Sequence, residues 1–139
     1  MKKTLGVCAL ALAFVACGDD SAKLYNTWNL VSLSDGGNPI DTSHSDRRVS
    51  ITIDKDKFNG YSGCNSFFGS YKTNGDQFQS ANSGMTRMLC EPKSMEIEES
   101  LIKLFSDNSV HFVLQEGKLV FEKDGENGGV KAIFEAQSK

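Results

Sequence analysis

Two periodicities divide the chain. Val49, Ile51 and Ile53 alternate with Ser50 and Thr52, a period of two that predicts a strand with one apolar face turned inward. Ile97, Leu101, Leu104 and Phe105 instead fall at i, i+4, i+7 and i+8, the stripe of an amphipathic helix. Glu96, Glu98, Glu99 and Lys103 lie mainly off that stripe and read as a solvated face. Pro92 suits the first helical position, Glu91 stands where a cap would, and Asp107-Asn108 ends the helix. The acidic first half complements the helix dipole, so Glu96 and Glu99 need no catalytic pairing to explain them.

The remaining apolar runs are short and bounded by turn residues. Residues 24–33 read as a strand buried on much of both faces, with Trp28 as a core anchor. A charged turn at 54–57 sends residues 58–62 back antiparallel, and residues 67–72 form a further strand ended by Asn74-Gly75. Residues 77–79 are a short extended segment. After the helix, residues 110–114 and 118–122 make a hairpin across Gln115-Glu116-Gly117, and residues 130–135 close the sheet. Such a chain is α+β and mainly β: seven or eight antiparallel strands in a meander, with one helix before the last three. A single helix can cover such a sheet only if the sheet also curls on itself.

The N-terminus follows a different pattern. Lys2 and Lys3 precede an apolar run over residues 5–16, too short to span a bilayer, and small Ala16 precedes Cys17. Residues 1–16 therefore read as a secretory signal. Phe14-Val15-Ala16-Cys17 resembles the lipobox of bacterial lipoproteins, with Phe14 in place of the usual Leu, which implies acyl chains on Cys17. Residues 17–23 then form a short, small and acidic tether, and residues 24–139 the domain. Asp19 stands at the third mature position, not at the second, where inner-membrane retention signals sit, so the outer membrane is expected on either side.

Composition narrows the partners. Of 15 Lys+Arg and 18 Asp+Glu, only Lys2 and Lys3 precede Cys17, leaving 13 against 18, a formal −5. That balance offers no handle for nucleic acid or anionic lipid headgroups, so membrane attachment would come from the acyl chains alone. Cys8 leaves with the signal and Cys17 takes lipid, which leaves Cys64 and Cys90 as a bridge or as two buried thiols. His44 and His111 lie at no ligand spacing from these cysteines, so no metal site is expected. His44 reads as solvated and His111 as an edge residue. There is no nucleophile elbow, phosphate loop or Ser/His/Asp grouping, so neither enzyme nor cofactor is expected.

The most distinctive stretch is Gly63-Cys64-Asn65, followed by Gly69-Ser70-Tyr71 and by Thr86-Arg87-Met88-Leu89-Cys90. Gly60 and Gly63 permit a sharp corner and Asn65 can fix a turn, so a structural role accounts for the first motif. Arg87, the one charged residue in an apolar run, reads as an edge arginine paired with a carboxylate or carbonyls, or as an anion- or partner-binding group. Together these motifs resemble the META domain, the family of the heat-shock lipoprotein HslJ, over about residues 24–136. The resemblance implies a curved, partly closed barrel-like sheet with the helix packed over it. It also implies a non-enzymatic envelope lipoprotein of stress response or maintenance, including heat shock and novobiocin tolerance, acting on another envelope component. The alternative is a small periplasmic or surface ligand carrier or inhibitor. A pocket lined by Phe67, Phe78 or Phe112 would favour the carrier, and a filled core with an exposed apolar patch would favour a protein partner.

Overall fold

A computed structural model of the chain describes residues 21–45 and 47–137. Cys17 and the signal segment lie outside the described residues. The strands are β1 (Asn26–Asp35), β2 (Asn38–Pro39), β3 (Ser50–Ile53), β4 (Lys57–Tyr61), β5 (Ser66–Asn74), β6 (Gln77–Met85), β7 (Ser109–Gln115), β8 (Lys118–Lys123) and β9 (Val130–Ala136). One helix, α1 (Pro92–Phe105), stands between β6 and β7, and a short 3-10 turn (Ser21–Leu24) leads into β1. That turn takes in residues assigned above to the tether, and it buries Leu24, whose carbonyl accepts the Trp28 indole N–H at 2.9 Å.

The strands follow one another as an antiparallel meander, and β9 then pairs with β1 from Trp28–Ala136 to Asp35–Val130. The sheet is thus a closed antiparallel barrel of eight strands, with the two-residue β2 flanking β1. Closure removes both edges of the long meander and answers the need for the sheet to curl on itself.

Two local departures from the period-two reading have physical causes. In β1 the register against β9 shifts between Leu30 and Ser32, so Trp28, Leu30 and Leu33 are buried while Val31 is exposed. The strand is buried on one face with a bulge, not on two faces. Strand β6 runs to Met85 rather than stopping at Gln79, because β5 supplies a partner along its whole length.

The barrel interior is filled by rings. Phe58, Phe67, Tyr71, Phe78, Phe121 and Phe134 are buried from five strands, and α1 adds Phe105. The Phe105 ring lies 6.1 Å from Phe58, 5.8 Å from Phe67, 6.2 Å from Phe78, 4.9 Å from Phe121 and 6.5 Å from Phe134. The contact with Phe67 is stacked and the others are tilted or edge-to-face, arrangements that each add about 0.5–1.5 kcal/mol beyond area burial. Helix α1 is therefore part of the core, seated by Ile97, Leu101, Leu104 and Phe105, the stripe read from the sequence.

Candidate functional site

Sequence-distant motifs meet at one end of the barrel. Gly63 has φ +105°, a value that disfavours any side chain, and it turns the chain from β4 toward β5. Asn65, 1% exposed, follows that turn. Its Oδ1 accepts the Met88 backbone N–H at 2.7 Å and the Thr86 hydroxyl at 2.8 Å, while its Nδ2 donates to the Met88 carbonyl at 3.1 Å. The side chain of Asn65 thus pairs with Met88 as a peptide group in a neighbouring strand would. Thr86 extends the pattern: its Oγ1 accepts the Ser66 N–H at 3.1 Å, and its own N–H donates to the Ser66 carbonyl at 3.0 Å.

Beneath this loop lies a carboxylate that the helix-stripe reading misplaces. Glu98, read above as part of a solvated face, is 5% exposed. It accepts Asn65 Nδ2 at 3.0 Å on Oε1 and 3.2 Å on Oε2, and the Ser62 hydroxyl at 2.6 Å. A buried carboxylate without partners is costly, and these donors are what lets α1 turn Glu98 inward. The sequence signal for it is spacing: Glu98 stands three residues before Leu101 and seven before Phe105, at the margin of the stripe.

Cys64 and Cys90 are joined in a disulfide with Cα atoms 5.9 Å apart. The loop between β6 and α1 is consequently held at Met88 by Asn65 and at Cys90 by a covalent bond. Between those two points it turns its apolar side chains outward: Leu89 is 90% exposed and Met88 59%. Arg87 beside them is exposed, and among the described residues its guanidinium has no hydrogen-bond or ion-pair partner. Of the two readings of Arg87 given above, the paired edge arginine finds no partner among the described residues, and the group open to an anion or a partner is the one left.

A cleft of about 190 Å³ opens next to Arg87, walled by Phe67, Phe68, Met85, Leu101, Ile102 and Phe105. It exists because β6 pairs with β7 only over Gln77–Gln79, so the rest of β6 runs past the start of β7 and faces the end of α1. Phe68 is 51% exposed there.

The other motif residues serve the barrel. A Cβ at Gly69 would stand 2.6 Å from the Phe58 ring, its cross-strand neighbour, so only glycine leaves room for that ring. Tyr71 stacks on Phe78 with centroids 4.6 Å apart and donates its hydroxyl to the Asp54 carbonyl at 2.8 Å. Phe78 is fully buried and lines no opening, and Phe112 packs against the core. His44 lies exposed with Asp41 Oδ2 3.2 Å away and Glu91 Oε1 3.6 Å away. His111, half-buried in β7, stands 3.1 Å from Asp76 Oδ2, at the opposite end from the Asn65 cluster. Among the described residues no three or more His, Cys, Asp or Glu gather as a metal-ligand set, and no helix is long and apolar enough to cross a membrane.

Comparison with known proteins assigns the architecture. The chain resembles the solved structure of a protein from Burkholderia xenovorans with a TM-score of 0.65 and 19% identity, over 86% of this chain and 88% of that one. A second structure determined by NMR gives 0.62 at 19% identity, over 81% and 90%. A DUF4847 family protein from Bacteroides vulgatus gives 0.55 at 15% identity, over 88% and 99%. At such identities the likeness is one of fold. No curated protein matches the chain. A sequence model of the META domain matches residues 22–138, the whole barrel with its helix. The chain belongs to the META domain family.

Proposed function

We propose that the protein is a non-enzymatic envelope lipoprotein that binds another envelope protein through the Arg87–Met88–Leu89 loop. The observation that carries this reading is the contrast between that loop's backbone and its side chains. Its backbone is pinned by Asn65 and by the Cys64–Cys90 bridge, while Leu89 is 90% exposed. A pinned loop loses little conformational entropy on binding, and exposed apolar side chains beside an arginine have the composition of an interface centre.

The position of the loop agrees with an anchored protein. Leu24 and the start of β1 lie beside the β3–β4 turn, to which Tyr71 near the β5–β6 turn is hydrogen-bonded. The Met88 loop follows the other end of β6, so an anchor at Cys17 would hold it away from the membrane. The nine residues of β5 put roughly 20–30 Å between the two ends. In this reading the acyl chains on Cys17 attach the protein to the outer membrane, and binding serves envelope maintenance under heat or antibiotic stress. Of the three rings whose exposure in a pocket would favour a carrier, Phe67 does line a cleft, but at about 190 Å³ that cleft is below the roughly 300–1,000 Å³ of small-molecule sites. The ring-filled interior leaves no room for a ligand inside the barrel, so a protein partner is the reading favoured.

Two measurements test it. Intact mass of the protein from a membrane fraction should show acylated Cys17, and an unlipidated mass contradicts the anchor. Cells carrying Met88→Ser with Leu89→Ser should respond to heat and novobiocin as a deletion strain does, at normal protein level. Full protection by that variant contradicts the role of the loop.

A further inference from the structure

Building on the reading above, we infer that the cleft beside Arg87 receives one apolar side chain of a partner polypeptide while Arg87 takes a carboxylate next to it. Arg87 and Phe68 both line the cleft, and Met88 and Leu89 follow Arg87 directly in the chain.

Size selects the class of occupant. Sites for whole small molecules enclose roughly 300–1,000 Å³. This cleft, at about 190 Å³, suits a single side chain. Beside its six apolar wall residues stand Ser62, Ser83 and Ser106, and since the Ser62 and Ser83 hydroxyls already donate to Glu98 and to the Phe105 carbonyl, an apolar side chain is the better fit. Charge selects the neighbour of that side chain. Arg87 is the one charged residue in the lining, and the guanidinium fork matches a carboxylate in two parallel hydrogen bonds.

The cleft is built in advance of any partner. Ser83 Oγ donates to the Phe105 carbonyl at 3.0 Å and accepts the Asp107 N–H at 3.1 Å, and the Ser83 N–H donates to Asp107 Oδ1 at 3.1 Å. These bonds fix the end of α1 against β6, so the walls need not reorganise to admit a side chain.

The test uses fluorescein-labelled hexapeptides and the full chain in lipid nanodiscs, read by anisotropy against empty nanodiscs. Gly-Ser-Gly-Ser-Asp-Phe-amide supplies a side-chain carboxylate, and Gly-Ser-Gly-Ser-Asn-Phe with a free C-terminus supplies a terminal one. At least one should bind about tenfold more tightly than the neutral Asn-Phe amide, and which of them does so identifies the source of the carboxylate. Arg87→Gln, at an exposed side chain with no partner among the described residues, should abolish that preference. Ile102→Trp, which fills the cleft, should remove binding of all three peptides. Equal binding of charged and neutral peptides, an unchanged preference in Arg87→Gln, or binding of decanoate but of no peptide would overturn the inference. Loss of stress protection in Met88→Ser with Leu89→Ser, alongside no peptide binding, would leave the loop's role standing and remove this one.

Discussion

The side-chain amide of Asn65 donates to both carboxylate oxygens of Glu98, at 3.0 and 3.2 Å, across 33 residues of sequence. This contact ties the turn after β4 to the first half of α1, and the other end of the same amide group holds Met88. Asn65→Ala would leave Glu98, Thr86 and the Met88 N–H short of partners in a buried site. The expected loss is about 2–4 kcal/mol of stability, read from urea unfolding. Glu98→Gln keeps acceptor oxygen for Ser62 and Asn65 and should lose only about 1 kcal/mol. A small effect of Asn65→Ala would mean that the network contributes little.

Reduction of the Cys64–Cys90 bridge, which closes a separation of 26 residues, should destabilise the protein by about 3.5 kcal/mol in the chain-entropy account. The barrel core does not depend on the bridge, so the fold should persist in reductant with a lowered Tm. Because Asn65 still holds the Met88 N–H, that amide should stay protected from hydrogen exchange in reductant.

Gly69→Ala puts a methyl group against the Phe58 ring, where the ideal Cβ position is 2.6 Å from a ring carbon. Overpacking of this kind costs about 1–3 kcal/mol. Combining it with Phe58→Leu should cost less than the sum of the two single changes, since the clash partner is gone. Simple additivity would contradict the assignment of Gly69 to this contact.

Asp35 links β1 to α1 through Lys103 Nζ at 2.7 Å and Ser100 Oγ at 2.8 Å. Its carboxyl is held below the ordinary value of 3.8, chiefly by the Lys103 hydrogen bond, with burial opposing and Ser100 and the Lys103 charge assisting. A depressed folded pKa means that the contribution is complete above the unfolded value and is lost as pH falls through the folded one. Asp35→Asn should therefore destabilise at pH 7 by about 0.5 kcal/mol, since Lys103 is half exposed. The difference from wild type should shrink below pH 3.8, which thermal melts at the two pH values would detect. Asp41, held down by hydrogen bonds from Ser43, contributes with the same sign.

The barrel was legible where one residue type met one environment. Ile51, Ile53, Leu101 and Leu104 follow their periods into the core because each is purely apolar and each element has one buried side. Closure was only half legible, since β1 meets β9 across the whole length of the domain and no local pattern records a partner so distant. Glu98 escaped, and Arg87 was left between two readings, for opposite reasons. A carboxylate is buried only when donors surround it, and Ser62 and Asn65 come from another part of the chain. An arginine in an apolar run reads as needing a partner, yet that run is turned outward by the hydrogen bonds of Met88 and the bridge at Cys90. In both cases side-chain chemistry depended on contacts between motifs, which spacing alone does not reveal.

The most direct test of the central claim is photo-crosslinking in intact cells, with a photoreactive residue at position 89 and, as control, at position 116 in the β7–β8 turn. The account predicts a discrete adduct with one envelope protein from position 89, absent from position 116 and lost when Met88 and Arg87 are replaced by Ser and Gln. No adduct from position 89, or the same adduct from both positions, would contradict a binding role for the loop.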